Sequence, residues 1–312
     1  MSSMSLPNPI SIVICTYNRA EELALTLASM RNLEDEFIQG DELIIVDNNS
    51  SDGTAAVAQG FSCRLLDTRY VFEAKQGLCS ARNRGLAEAV NQHILYFDDD
   101  VSIHSGCLAG YREAVESPDY ANVSFFGGKI DIDWRGNKPR WWKSEDLPLL
   151  NGLMVRHDYG ESDCHYPNRS HTPFGASFLI RRSLVDEIGN FDEALGPIGG
   201  SVARGDEVEF FIRAKDAGHI GLYVAGAVVG HRVHDSRFGL LALYRYGKEK
   251  GAAAVRLDGL SSARPLWQSV SFAIRGLYQL LKLRRDRFYQ CVINIGIQRG
   301  VYLASVRRSS GS

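Results

Sequence analysis

The stretch ILYFDDDV, residues 94–101, decides how the chain is read. An apolar run of the kind that makes a buried strand ends in three consecutive carboxylates, Asp98, Asp99 and Asp100. Like charges at one strand end repel and are costly to desolvate, so something must offset them. Asp98 and Asp100 stand two apart and therefore point to one side of an extended backbone, where both can reach one ligand. Paired carboxylates suit a hard divalent cation, Mg2+ or Mn2+, whose shell a phosphate completes. The plainer reading is a solvated acidic turn before a helix at HSGCLAGYREAVE.

Outward from this stretch the first hundred residues alternate. PISIVICTYN, DELIIVDNN, SCRLLD and QHILYFDDD are short, aliphatic and closed by polar residues. RAEELALTLASMRNL, SSDGTAAVAQG and GLCSARNRGLAEAVNQ lie between them with helical spacing. Continuously apolar strands separated by amphipathic helices predict an α/β fold with a parallel sheet covered on both faces. Ligands of such sheets bind beyond the carboxyl ends of the strands. Three of those ends are conspicuously polar: Thr16-Tyr17-Asn18, Asp47-Asn48-Asn49 and Asp98 to Asp100. No G-x-G-x-x-G follows the first strand and there is no Walker lysine loop, which weighs against dinucleotide and P-loop readings.

Further on, ANVSFFGGKIDI predicts a strand and PFGASFLIRRSLVDEIGNFD a strand turning into a helix. GDEVEFFIRAKDAG predicts a helix closed by Gly218, and HIGLYVAGAVVGHRVH another strand. With 312 residues, 45% hydrophobic, 23% charged and a net charge of -2, the composition is that of a soluble globular protein. It offers no case for nucleic acid as a partner. The six cysteines show no C-x-x-C pair and read as reduced thiols in a cytoplasmic protein. No signal peptide and no membrane-spanning run is evident.

Several residues have two readings. Asp47 ends a buried strand, where a carboxylate can accept from a base imide or a ribose hydroxyl, whereas Ser50, Ser51 and Asp52 suit a helix N-cap. Lys75, Arg82 and Arg84 surround a helix start; cations there oppose the helix dipole but favour a diphosphate. Asp206, Glu207 and Glu209 open a helix, the ordinary place for acids. His231 and His234 are metal-ligand candidates or structural strand histidines, and WRGNKPRWW offers either sugar-packing faces or an aromatic lid.

Taken in order, SIVICTYNRAEEL, IIVDNNSSDGT, KQGLCSARNRGL, LYFDDD and GDEVEFFIRAKDAG resemble the family 2 glycosyltransferases. These are inverting enzymes of the GT-A, or nucleotide-diphospho-sugar transferase, fold, and the likeness is to those building bacterial exopolysaccharide and other surface glycans. The resemblance spans about residues 9–235. It implies a GT-A domain over 1–237, with a nucleotide-sugar half (9–103) and an acceptor half (104–237), and a helical, basic extension over 238–312. Thr16, Tyr17 and Asn18 would line a uracil and ribose pocket, with Asp47 accepting from the base. Lys75 and Arg82 would lie near the diphosphate, Asp98 and Asp99 near the ribose. Asp100, with Asp98 and His231, would hold the metal. The catalytic base would be Glu207, with Asp206 as alternative because Gly205-Asp206-Glu207 swaps the family's acid types. Trp141, Trp142 and Gly175 are candidates for the acceptor side.

The implied activity is metal-dependent transfer from a nucleotide-diphospho-sugar, a UDP-sugar by resemblance, to a glycan or lipid-linked glycan. A nucleotidyltransferase would share the sheet and the acids but needs a Gly- and Lys/Arg-rich loop where TYNRAEE stands. A non-catalytic nucleotide-sugar binder would lack Asp100 or Glu207. From Arg264 to Arg308 nine basic residues face one acid, Asp286. SVSFAIRGLYQLLKLRRDRF within that tail predicts a basic amphipathic helix, lying either on the inner face of the plasma membrane or packed on the domain.

Overall fold

A computed structural model describes residues 8–135, 138–140, 142, 147–195, 206–258 and 265–310. Four strands run parallel: β1 (Ile10–Thr16), β2 (Glu42–Asp47), β3 (Asp67–Phe72) and β4 (His93–Asp98). β1 pairs on both sides, setting Thr16 opposite Asp47 and Cys15 opposite Asp98. That register gathers the three polar strand ends at one rim of the sheet. Ile12, Val13, Ile14, Ile44, Ile45, Ile94 and Leu95 are completely buried, which is why these strands read as unbroken apolar runs.

The third strand is a correction. It runs over Asp67–Phe72, while SCRLLD supplies only an isolated bridge between Cys63 and Leu66. Leu65 takes a φ of +63°, which turns the chain there. β3 is the edge of the sheet and half-exposed, so it does not need a continuous apolar run. The helices α1 (Ala20–Met30), α2 (Thr54–Gln59) and α3 (Leu78–Glu88) connect these strands. Gly85 lets α3 lie close on the sheet, since a Cβ there would stand 2.4 Å from the Val13 side chain.

The remainder of the sheet is antiparallel. After β4 come β5 (Val101–Ile103), α4 (Cys107–Glu116), β6 (Val123–Trp134), α5 (Pro148–Leu153), β7 (Cys164–His165), β8 (Ser177–Arg181), α6 (Arg182–Ile188), α7 (Asp206–Asp216) and β9 (Ile220–Val233). The strand order is β3-β2-β1-β4-β8-β6-β9-β5, with β7 beside β9. β9 returns past the end of β4 and pairs with β5, setting His231 opposite Val101. Gly218, at φ +93°, ends α7 as the sequence predicts. All six cysteines are free thiols.

The chain divides into two compact units. One holds the sheet; the other holds residues 134–156 and everything from 233 onward. The second unit contains α8 (Leu240–Asp258), α9 (Pro265–Leu281) and α10 (Arg285–Ser310). The single helix expected across SVSFAIRGLYQLLKLRRDRF is therefore two, broken where Leu283 adopts φ +54°. Among the described residues no helix is long and apolar enough to cross a membrane.

α8 and α10 meet through two G-x-x-x-G pairs, Gly247/Gly251 and Gly296/Gly300. A Cβ on Gly247 would fall 2.0 Å from the Ile293 carbonyl oxygen, and one on Gly300 1.9 Å from that of Lys248. Backbone lies against backbone, as small residues permit. Helix propensity alone would make Gly300→Ala stabilising by about 1 kcal/mol. The clash should win instead, destabilising the chain by about 1–3 kcal/mol or more in urea melts.

Candidate active site

Loops after β1 and β2 are fastened to each other. Asn48 N donates to the Thr16 carbonyl (2.9 Å), Asn18 N to Ser50 Oγ (2.9 Å), and Ser51 N to Asn18 Oδ1 (2.7 Å). Asn18 and Asn49 sit at φ +51° and +66°, a left-handed backbone that asparagine tolerates. Asp52 accepts from Thr54 N (3.0 Å) and Ala20 N (3.2 Å), tying this turn to the start of α1, while the N-cap position of α2 falls to Gly53, which has no side chain to cap with. Asp47 is buried; Oδ1 accepts from Ser50 N (2.9 Å) and Oδ2 from the Tyr70 hydroxyl (3.0 Å). Each carboxylate oxygen retains a further lone pair. Tyr17 is half-buried beside them.

Three arginines surround the acidic turn. Arg19 Nη1 reaches Asp99 Oδ1 at 2.6 Å and Asp100 Oδ2 at 3.0 Å, and Asp99 first, then Asp100, raises the proton affinity of its guanidinium. The buried Arg82 stands 4.0 Å from Asp98 and 3.9 Å from Glu207, with Phe178 and Phe191 against its guanidinium. Arg232 holds the turn's backbone: its N–H donates to the Asp100 carbonyl (3.0 Å), Nη1 to that of Val101 (2.6 Å) and Nη2 to that of Asp99 (3.2 Å). Its Nε is paired with Glu22 Oε2 at 2.8 Å, and Nη2 also reaches Thr26 Oγ1 at 2.6 Å. His231 Nε2 lies 3.5 Å from Asp100 Oδ1.

The compensation is incomplete. Burial, then Asp100, pushes Asp98 up to about 7 against the pull of Arg82. The Asp98 side chain stays 35% exposed, so water moderates that rise, but the direction stands. Asp99 is pushed up to about 6, by burial first, with Arg19 pulling it down. Thr16 also favours its ionised form, although the buried hydroxyl makes no regular hydrogen bond.

Asp98, Asp99, Asp100, Arg82, Glu207 and His231 thus come together from four segments of the sheet unit. Gly175 joins them: a Cβ there would lie 2.6 Å from Arg82 Nη2 and 3.7 Å from the Glu207 carboxyl. Lys75 does not join; it is exposed and paired with Glu193. Trp142 is buried edge-on against Trp134 in the second unit rather than presenting an open face. Trp141 and Gly205 lie outside the described residues, as does the side chain of Asp206. Arg19, Glu22, Tyr70 and Arg232 are not singled out by the sequence. Only Arg232 leaves a signal: an arginine inside the apolar strand GAVVGHRVH must be paired to be buried.

The profile of glycosyl transferase family 2 matches residues 11–189, more than half of the chain. The chain belongs to this family. The match runs from β1 through α6 and stops short of Glu207. Glycosyltransferase AglE of Haloferax volcanii is 26% identical over 270 residues, covering 84% of this chain and 81% of that protein. The cholesterol galactosyltransferase of Borreliella burgdorferi is 28% identical over 99 residues, 32% of this chain and 27% of its own length. Among solved structures, the mannosyltransferase PcManGT of Pyrobaculum calidifontis, in complex with GDP-Man and Mn2+, superposes with a TM-score of 0.59 at 15% identity. That superposition covers 96% of this chain and 88% of the other, and it supports the GT-A fold.

The two kinds of arginine should respond differently to removal. Arg232→Met removes a buried guanidinium that pairs with Glu22 and holds the carbonyls of Asp99 and Val101, and should cost about 3–5 kcal/mol. Arg19→Ala should cost less, about 1–3 kcal/mol, because that guanidinium is 41% exposed and water can take its place beside the buried Asp99 and Asp100. Urea unfolding followed by circular dichroism measures both.

Proposed function

We propose that this glycosyltransferase inverts the anomeric centre as it moves a sugar from a nucleotide-diphospho-sugar, a UDP-sugar first, to a hydroxyl of a glycan or lipid-linked glycan, working in the cytoplasm on surface polysaccharide. The observation carrying this reading is Arg82, which has Asp98 on one side and Glu207 on the other within 4.0 Å. One guanidinium then stands between the donor's carboxylates and the acceptor's base.

The donor set fits a hard cation. Asp98 and Asp100 supply oxygens, and the crowding of charge that pushes Asp98 up is what such an ion would relieve. Among the described residues no three His, Cys, Asp or Glu side chains form a closed cage. Mg2+ or Mn2+ takes one or two carboxylates and leaves places for a diphosphate and water. When bound, the ion supplies positive charge against the departing diphosphate.

In this reading the protein's own groups do the rest. Thr16, Tyr17, Asn18 and Asp47 receive base and ribose, with Asp47 taking an imide N–H on a lone pair that Ser50 and Tyr70 leave open. Arg82 faces the diphosphate. Glu207 accepts the proton of the acceptor hydroxyl as its oxygen bonds to the anomeric carbon. The bond from that carbon to the diphosphate breaks, and the nucleoside diphosphate leaves with the electron pair. A base in this role contributes ~10²–10⁴-fold.

Glu207→Gln should bind donor normally and lose transfer by ~10²–10⁴-fold. Normal transfer by this variant, with loss in Asp206→Asn, would move the base to Asp206. Calorimetric titration of UDP with Mn2+ or with EDTA, for wild type and Asp100→Asn, tests the cation: binding should require metal and vanish in the variant. Preference for GDP, the nucleotide of the donor bound to PcManGT, would change the base but not the reaction.

A further inference from the structure

The helical unit carries a surface that the transferase reading does not use. Val270, Ile274, Leu277, Tyr278 and Leu281 on α9 recur at spacings of four, three, one and three, and all are exposed, between 53% and 76%. Spacing of that kind puts them on one face. The opposite side of α9 is already taken: a Cβ on Gly276 would stand 3.3 Å from Cys291 and 3.5 Å from Phe288 of α10. The apolar stripe therefore faces away from its own hairpin.

The corner joining the two helices is the more telling part. Leu283 N donates to the Leu280 carbonyl (2.9 Å) and Arg284 N to that of Gln279 (2.9 Å), the paired bonds of a Schellman turn. Such a turn calls for glycine at its left-handed position, yet Leu283 occupies it at φ +54° and is 88% exposed. A strained leucine in water gains nothing for the fold. Around it stand Lys282, Arg284, Arg285 and Arg287, all exposed, with Arg275 two turns back along α9. Asp286, the only acid beyond residue 258, is buried. The open surface of the corner is thus cationic and apolar together, on a chain whose net charge is -2.

We infer that α9 and the Leu283 corner dock on an anionic lipid bilayer, the helix lying in the interface plane over ~25 Å with Leu283 as its inserted tip. No described helix can cross a membrane, so the contact is peripheral. Charge selects the occupant: a ring of arginine and lysine around an apolar stripe matches acidic headgroups over acyl chains. A second copy of this same surface would set these cations against each other.

The test is flotation of the full chain with vesicles of phosphatidylcholine containing roughly a third phosphatidylglycerol, against pure phosphatidylcholine. Recovery should require the anionic lipid and fall in about 0.5 M salt. Neutralising Lys282, Arg284 and Arg285 to Gln should weaken partition on the order of 10²-fold. Leu283→Gly should weaken it about tenfold while folding at least as well, because glycine fits the turn. Absence of wild-type recovery, equal recovery on neutral vesicles, or unchanged recovery of both variants overturns the inference. A concentration-dependent dimer lost in Leu277→Ser/Leu281→Ser, without vesicle binding, overturns it in favour of self-association. None of these readouts needs a sugar donor, so failure of the transferase reading leaves them intact.

Discussion

The repulsion among Asp98, Asp99 and Asp100 is the constraint around which the sheet unit is arranged. A strand end can hold three adjacent carboxylates only if other elements bring positive charge and backbone donors to it. Arg19 comes from the end of β1, Arg82 from α3 and Arg232 from β9. They do different things. Arg19 and Arg82 face the carboxylates, whereas Arg232 holds the carbonyls of residues 99 to 101. The turn's shape is thereby set independently of the charge it carries. A ligand can change the electrostatics without unseating the backbone.

The parallel half of the fold was legible because burial on both faces leaves no ambiguity in an aliphatic run. PISIVICTYN, DELIIVDNN and QHILYFDDD each became a strand, and their polar ends met at one rim. β3 starts five residues later than SCRLLD, for the complementary reason: an edge strand is half-wet, and Leu65-Leu66 mimics a core strand while serving a turn. The C-terminal helix reads as unbroken because nothing in KLRRDR marks a stop. A leucine in the left-handed position has no sequence signature.

Within the site, the carboxylates could be read from the chain because they end strands, while most of their partners could not. Arg19 looks like any polar residue at a helix start, and Glu22 like any acid in a first turn, the commonplace reading. Arg19 takes its role from a turn 80 residues away, and Glu22 from a strand 210 residues away. Gly175 is similar; its importance lies in the space that Arg82 occupies, which a linear pattern does not record. Lys75 shows the reverse, a cation in a promising stretch whose nearest acid is on the surface.

The distance along the chain between Arg232 and what it holds bears on how this protein comes into being. Its side chain bonds Asp99 across 133 residues and Glu22 across 210. Contacts so remote are slow to form, since a long loop must close before either is gained. During synthesis the nucleotide half can pair β1, β2 and β4 early, but the acidic turn stays unclamped until β9 has emerged and docked. Chains halted before that strand would expose carboxylates and an open sheet edge together. Such intermediates are natural clients of chaperones, and they are also where an otherwise silent slowing of translation would be felt.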